Sequence, residues 1–98
     1  MDKQQALEIL VQHREALRAR GVRRAALFGS VARGDASEQS DVDILIELDP
    51  NAAIDLFDYA GIKNDIVELF AGRADVVDRE GLKPYLRESI INDAIYAF

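Results

Sequence analysis

Two short polar motifs, each joined to an apolar stretch, constrain this sequence more than any other feature. The first apolar stretch ends in Gly29-Ser30, and after ten intervening residues Asp41-Val42-Asp43 begins the second. Because alternate side chains of a strand point to the same face, Asp41 and Asp43 can hold a Mg²⁺ ion between them. A Gly-Ser turn offers free backbone N–H groups and a hydroxyl to a phosphate. This spacing predicts a phosphate-binding turn that faces a metal site, and therefore metal-dependent nucleotide chemistry.

Hydrophobic periodicity predicts helices and strands around both motifs. Asp2 and Gln5 can cap a first helix reciprocally, and Gly21 is expected to end it. The further predicted elements are a strand over 22–28, a short helix through 33, a strand over 41–48, a helix over 56–70, a strand over 74–77 and a helix over 82–94. Pro84 fits only the first turn of the last helix. The residues of that helix expected to face inward are Leu86, Ile90, Ile91 and Ala94.

The strand over 41–48 is predicted to have two different faces. One face is apolar and consists of Val42, Ile44, Ile46 and Leu48. The other face consists of Asp41, Asp43, Leu45 and Glu47. We expect the apolar face to belong to the core and the acidic face to carry the site.

Longer segments around the two motifs resemble the nucleotidyltransferase superfamily, which includes DNA polymerase beta and the aminoglycoside nucleotidyltransferases. These segments are 29–35 (GSVARGD) and 40–45 (SDVDIL). The likeness is strongest to the minimal members, the MNT antitoxins. The segment 73–78 (RADVVD) looks like the later strand that carries a third carboxylate in that family, and 81–87 (GLKPYLR) also resembles the minimal members. The resemblance covers the chain from Val22 onward.

The resemblance implies a fold and a set of site residues. We expect an α/β (α+β) fold, the minimal nucleotidyltransferase fold, with a small mixed β-sheet flanked by helices in a single domain over residues 1–98. By the resemblance, the catalytic and metal-binding residues are Asp41, Asp43 and Asp75, which would hold two Mg²⁺ ions. The residues expected to bind the phosphates of ATP are Gly29, Ser30 and Arg33.

Some of these assignments have plainer alternatives. Asp-x-Asp can be a solvated strand start, although its combination with the Gly-Ser turn and a third acid favours the functional interpretation. Ser30 could simply cap the short helix, and Arg33 could be a surface residue that covers it. Asp75 competes with Asp78, but an offset of three residues points their side chains to opposite faces of a regular strand. We choose Asp75, because it matches the family position and Asp78 already enters the next loop.

The resemblance also implies a reaction and a partner. It implies Mg²⁺-dependent transfer of AMP from ATP to a tyrosine of a HEPN-domain toxin near its RNase site, so that the chain acts as an antitoxin. One alternative is a non-catalytic antitoxin that neutralises the toxin by binding and occlusion, but intact acids at all three positions argue against it. Another is adenylylation of a small molecule such as an aminoglycoside. The short length weakens it, because no region is left to enclose that substrate.

Charge and composition narrow the possible partners and the cellular location of the protein. The formal net charge of −6 disfavours a general nucleic-acid binder, although residues 1–34 carry +4 and the remainder carries −10. An acidic surface would suit a basic protein partner, or would simply maintain solubility. The chain has no cysteine and no apolar stretch of membrane-spanning length, and its first residues are not expected to begin a signal peptide. We therefore expect a cytoplasmic protein without direct contact to nucleic acid or membrane.

Overall fold

A computed structural model describes the whole chain, residues 1–98, as helices alternating with strands. The elements are, in chain order, α1 (Lys3–Gln12), α2 (Arg14–Ala19), β1 (Val22–Phe28), α3 (Gly29–Arg33), β2 (Val42–Leu48), α4 (Leu56–Leu69), β3 (Ala74–Asp78), a 3₁₀ turn (Arg79–Gly81), α5 (Pro84–Asp93) and β4 (Ile95–Tyr96). None of the helices combines the length and the apolar character that a bilayer-spanning segment requires.

The four strands form one mixed sheet in the order β3-β2-β1-β4. β1 runs antiparallel to β2 and β4, whereas β2 and β3 are parallel and are connected through α4. This small mixed sheet flanked by helices confirms the predicted fold class. At one end of the sheet, Phe28 finishes β1 while Val42 and Ala74 begin β2 and β3. We call this the site end, and the opposite end the far end.

The hydrophobic core lies on one face of the sheet and includes residues of α1, α2, α3 and α4. It is a single cluster of 15 buried residues, and its members from β2 are Val42, Ile44 and Ile46, as the alternation predicts. On the other face, the cross-strand neighbours Ala26 and Leu45 are also fully buried, outside that cluster. Strand β2 is therefore covered on both faces in its middle, and this rigid support positions the polar residues at its ends.

The first predicted helix is two helices in the structure. The predicted capping box of Asp2 and Gln5 is present, but α1 ends at Gln12, and the φ of −104° and ψ of 10° of the C-cap residue His13 are not helical. The His13 Nδ1 lies 2.8 Å from the carbonyl oxygen of Ile9, which the His13 N–H would bond in a continuous α-helix. That N–H instead donates to Leu10 at 3.2 Å. The side chain thus takes the place of a backbone bond at the break.

The C-terminal region differs most from the sequence prediction. Helix α5 begins at Pro84, two residues later than predicted, and Pro84 lies in its first turn as expected, but none of its residues is buried. Leu86 is 43% exposed, so its predicted inward position is wrong, and the predicted inward positions Ile90, Ile91 and Ala94 are only partly buried. Strand β4 was not predicted, because two residues are too few to show a period.

Candidate active site

The parallel register of β2 and β3 places two predicted site residues side by side. Asp43 pairs with Asp75, so their carboxylates share one face at the site end. Asp78 pairs with Ile46, whose side chain lies in the core. Asp78 is the last residue of β3, so the expectation that it already enters the loop is wrong, and its carboxylate accepts a hydrogen bond from the N–H of Glu80 at 3.2 Å in the 3₁₀ turn that follows. The structure therefore brings Asp75, and not Asp78, to Asp43.

Gly29 brings the turn between β1 and α3 directly against Asp43. Its φ is +70°, in the left-handed region that favours glycine. Phe28, the preceding residue, pairs with Asp43 across β1 and β2. A methyl group built on Gly29 would collide with Oδ2 of Asp43. Because Gly29 has no side chain, the turn can contact the Asp43 carboxylate. This contact is required if a phosphate on the turn and a cation on the carboxylate are to share one site.

The other predicted phosphate-binding residues, Ser30 and Arg33, lie on α3. Phe28 is the N-cap of this helix and no side chain caps it, so the alternative in which Ser30 is a cap is wrong. Arg33 donates to Asp93 of α5 at 2.8 Å and to Asp35 at 3.2 Å. The hydrogen bond to Asp93, followed by the bond to Asp35, raises the pKa of Arg33. Ser30 is available to a ligand, whereas Arg33 is already held by two carboxylates.

Asp43 has the most perturbed environment of the three predicted acids. Its pKa is raised above the ordinary value of 3.8 by burial first, and then by the negative charges of Asp75 and Asp41, while Arg33 acts in the opposite direction. An ionised Asp43 has no ion pair or hydrogen bond with a cationic side chain, and the charge of Arg33 only partly offsets the effect of burial and of the two neighbouring acids. Carboxylate oxygens with surplus negative charge are the ligands that Mg²⁺ prefers. The donor chemistry of these acids fits that ion.

The acids are neighbours, but their side chains do not converge on a common point. No group of three or more His, Asp or Glu side chains has the geometry of a metal-ligand cluster. Asp41 instead forms an ion pair with Arg73, whose Nε lies 3.8 Å from its Oδ1. Sequence reasoning did not identify Arg73 as a site residue. Its place two residues before Asp75, and one residue before β3 begins, was the available signal.

A separate surface cavity of about 480 Å³ lies at the far end of the sheet. Its lining includes Arg18, Gly21, Asp49 and Ile54, and none of the motif residues. Gly21 precedes β1, whereas Gly29 follows it, so the length of that strand separates this cavity from the carboxylates. We identify the candidate site by the chemistry at the site end, since cavity size alone does not indicate a reaction.

Comparison with known proteins relates the chain to nucleotidyl transfer. The model of the nucleotidyltransferase domain family matches residues 10–97. The protein adenylyltransferase MntA of Thermococcus cleftensis is 34% identical to this chain over 89 residues, which are 90% of this chain and 88% of the relative. A solved structure of a minimal nucleotidyltransferase is 39% identical, has a TM-score of 0.69, and aligns over 97% of this chain and 95% of its own length.

A more distant solved structure shares the fold. It is the complex of a tri-AMPylated Shewanella oneidensis HEPN toxin with an MNT antitoxin, and it matches with a TM-score of 0.63 over 94% of this chain and 71% of its own. The sequence identity is 15%, so this likeness shows the fold alone.

Proposed function

This chain belongs to the nucleotidyltransferase domain family, and we propose that it transfers AMP from ATP to a tyrosine hydroxyl of a HEPN-domain toxin and so acts as its antitoxin. The family expected from the motifs is thereby confirmed. The observation that carries the proposal is the meeting of Asp43, Asp75 and the Gly29 turn at the site end. The MntA relative, named a protein adenylyltransferase, supports a protein acceptor. The fold neighbour, a complex with an AMPylated HEPN toxin, supports the partner.

Mg²⁺ is part of this proposal. Asp41, Asp43 and Asp75 would hold it, with two ions implied by the family resemblance. When bound, Mg²⁺ neutralises the triphosphate and stabilises the charge that develops on the leaving pyrophosphate. The backbone N–H groups at the start of α3 have no intrahelical partners, so those of Gly29 and Ser30 can bind the β- and γ-phosphates together with the Ser30 hydroxyl.

The reaction is an in-line displacement at the α-phosphorus of ATP. The acceptor oxygen forms the new phosphorus–oxygen bond, the bond to the pyrophosphate oxygen breaks, and AMP remains on the acceptor. Asp75 is exposed, whereas Asp43 is half-buried beneath the Gly29 turn. We therefore assign Asp75 as the group that accepts the proton of the acceptor hydroxyl, and Asp43 as the group that orients the nucleotide end of the site.

The test mixes the protein with the HEPN toxin from the adjacent reading frame, ATP and Mg²⁺, and measures the intact mass of both proteins. We expect AMP on the toxin with the wild-type protein and none with Asp41→Asn. Glu47→Gln is the matched control, because it makes the same type of change at the other end of β2 and should preserve transfer. No AMP on the toxin, together with a tight ATP-independent complex that silences it, would support the non-catalytic antitoxin.

Three predictions are not tested by that experiment with ATP. The cytoplasmic location and the absence of direct contact with nucleic acid or membrane stay predictions from the sequence. The choice of ATP over other triphosphates also stays a prediction, and the same mass measurement with GTP, CTP and UTP would decide it.

A further inference from the structure

Arg73 extends the ladder between β2 and β3 by one step at the site end. Its carbonyl oxygen accepts the N–H of Val42 at 3.0 Å. Arg73 and Asp41 each lie one residue before their strands, and the alternation extended to them places Arg73 on the face of Asp75 and Asp41 on that of Asp43, in agreement with their ion pair. The site end therefore carries two pairs of cross-strand neighbours, which differ in charge. Asp43 lies beside another acid, whereas Asp41 lies beside a base.

The ion pair between Arg73 and Asp41 is loose. Nε lies 3.8 Å from Oδ1, beyond hydrogen-bonding distance, and the two side chains are 52% and 62% exposed. An exposed pair of this kind contributes little net stability, because water solvates both charges when they separate. Asp41 can therefore exchange this partner for a metal ion, and Arg73 is then available to another anion.

Arg33, the other arginine close to the carboxylates, is less free to move. It donates to Asp93 at 2.8 Å and to Asp35 at 3.2 Å, and the first of these bonds connects α3 to α5. A movement of Arg33 toward the phosphates would break both bonds. Arg73 has only its one long contact. It is the guanidinium at the site end that can change partners at low cost.

We propose that Arg73 balances the charge of Asp41 before the nucleotide binds, and that it binds the triphosphate once Mg²⁺ has taken Asp41. This inference rests on the proposed function, since it concerns the same nucleotide site. With Arg73 on Asp41, the acids without an ion-pair partner are Asp43 and Asp75, whose combined charge equals in magnitude that of one divalent cation. After release, the planar guanidinium can donate to two phosphate oxygens at once.

The test measures two affinities by isothermal titration calorimetry, one for Mg²⁺ alone and one for ATP in saturating Mg²⁺. In Arg73→Ala we expect ATP to bind about tenfold more weakly, because a charge-assisted hydrogen bond is lost. We expect Mg²⁺ alone to bind about threefold more tightly, because a third carboxylate is left uncompensated. Arg73→Lys keeps the positive charge and should recover most of the ATP affinity.

Arg20→Ala is the matched control. Arg20 is also a partly exposed arginine in a single ion pair, with Asp65, but it lies at the far end of the sheet. Its removal should change neither affinity. If Arg73→Ala changes neither affinity, or weakens both, Arg73 does not exchange partners and the inference is overturned. Transfer of AMP by the wild-type protein would still stand in that case. A wild-type protein that binds neither Mg²⁺ nor ATP would overturn the proposed function as well.

Discussion

Two acids of β2 that share a sheet face, Asp43 and Glu47, have opposite electrostatic surroundings. Asp43 lies beside two further carboxylates at the site end, and burial and then their charges raise its pKa. Glu47, at the far end, is 5% exposed and accepts hydrogen bonds from the Tyr96 hydroxyl at 2.6 Å and from Arg23 at 3.3 Å. Burial alone would raise the pKa of Glu47, but these bonds, with the charge of Arg79, lower it below 4.5.

This difference in surroundings indicates different roles. Glu47 stabilises the fold, whereas Asp43 is available to bind an external cation. A buried carboxylate is costly unless the protein pairs it, and Glu47 is paired with a hydroxyl and two guanidinium groups. Asp43 has no such partner, since Arg73 contacts Asp41 and Arg33 is held by Asp93 and Asp35. Exchange of each acid for its amide should therefore have opposite consequences at the two ends of the strand.

Asp43→Asn should produce the largest effect, the loss of AMP transfer in a folded protein. A carboxylate that binds Mg²⁺ contributes several kcal/mol of transition-state stabilisation through that ion, so we expect the rate of transfer to fall by about a thousandfold or more. The intact mass of the toxin, followed over time, measures this rate. Glu47→Gln should keep the wild-type rate. Transfer by Asp43→Asn at the wild-type rate would show that Asp43 is not a metal ligand in the reaction.

The same variant should be more stable than the wild type at neutral pH. A pKa raised above 3.8 in the folded state means that ionised Asp43 destabilises the fold at any pH above that raised value. Asn removes this destabilisation. The advantage should shrink as the pH falls through the raised pKa and should disappear below 3.8. Urea unfolding of both proteins across acidic and neutral pH measures it, and a less stable variant at neutral pH would contradict this account.

Gly29→Ala should impair transfer by displacing the carboxylate that it touches. The added methyl group collides with Asp43, and a displacement of about 1 Å can lower a rate by about a hundredfold. Gly34→Ala is the control, because Gly34 has a φ of +82° but a Cβ there meets nothing within 4 Å. Both variants should lose about 1 kcal/mol of stability through their positive φ. If both transfer AMP equally well, the contact between Gly29 and Asp43 is unimportant.

The site end could be predicted from the sequence far better than the far end. Local rules identify Asp41 and Asp43, because a glycine turn and alternation along a strand are visible in short segments. Alternation also places Glu47 on the same face, but its partner Tyr96 lies 49 residues away. That partner belongs to a two-residue strand without a period. The ion pair between Arg73 and Asp41 was also not predictable from short segments, because it depends on the register between β2 and β3.

Regular elements were predictable, whereas features set by one tertiary contact were not. Strands β1, β2 and β3 and the long helix α4 follow from their periods, and the predicted sheet class is correct. The break at His13 depends on one side chain that bonds a backbone carbonyl. The period of α5 suggested an inward face, but a period does not show whether another element covers that face. Leu86 is exposed for that reason.

Glu47→Gln should destabilise the protein by about 2 kcal/mol at neutral pH, because it removes the charge that accepts hydrogen bonds from the Tyr96 hydroxyl and Arg23 and forms an ion pair with Arg79. The lowered pKa of Glu47 means that its stabilisation is complete above 4.5 and is lost as the pH falls through the lowered value. The gap between wild type and variant should therefore close in acid. Urea unfolding across this range measures the gap. A gap that is constant with pH would assign the loss to packing rather than to charge.

Tyr96→Phe should have the smallest effect, a loss of about 1 kcal/mol, because one hydrogen bond is removed while Glu47 keeps its arginine partners. The ring remains beneath Arg24, whose Cζ lies 3.8 Å from the ring centroid, so the change isolates the hydroxyl. Tyr85→Phe removes a hydroxyl from a residue that is 73% exposed and should change nothing. Tyr96→Phe combined with Glu47→Gln should cost less than the sum of the two, because both remove the same bond. Additive losses would show that Tyr96 stabilises β4 without acting through Glu47.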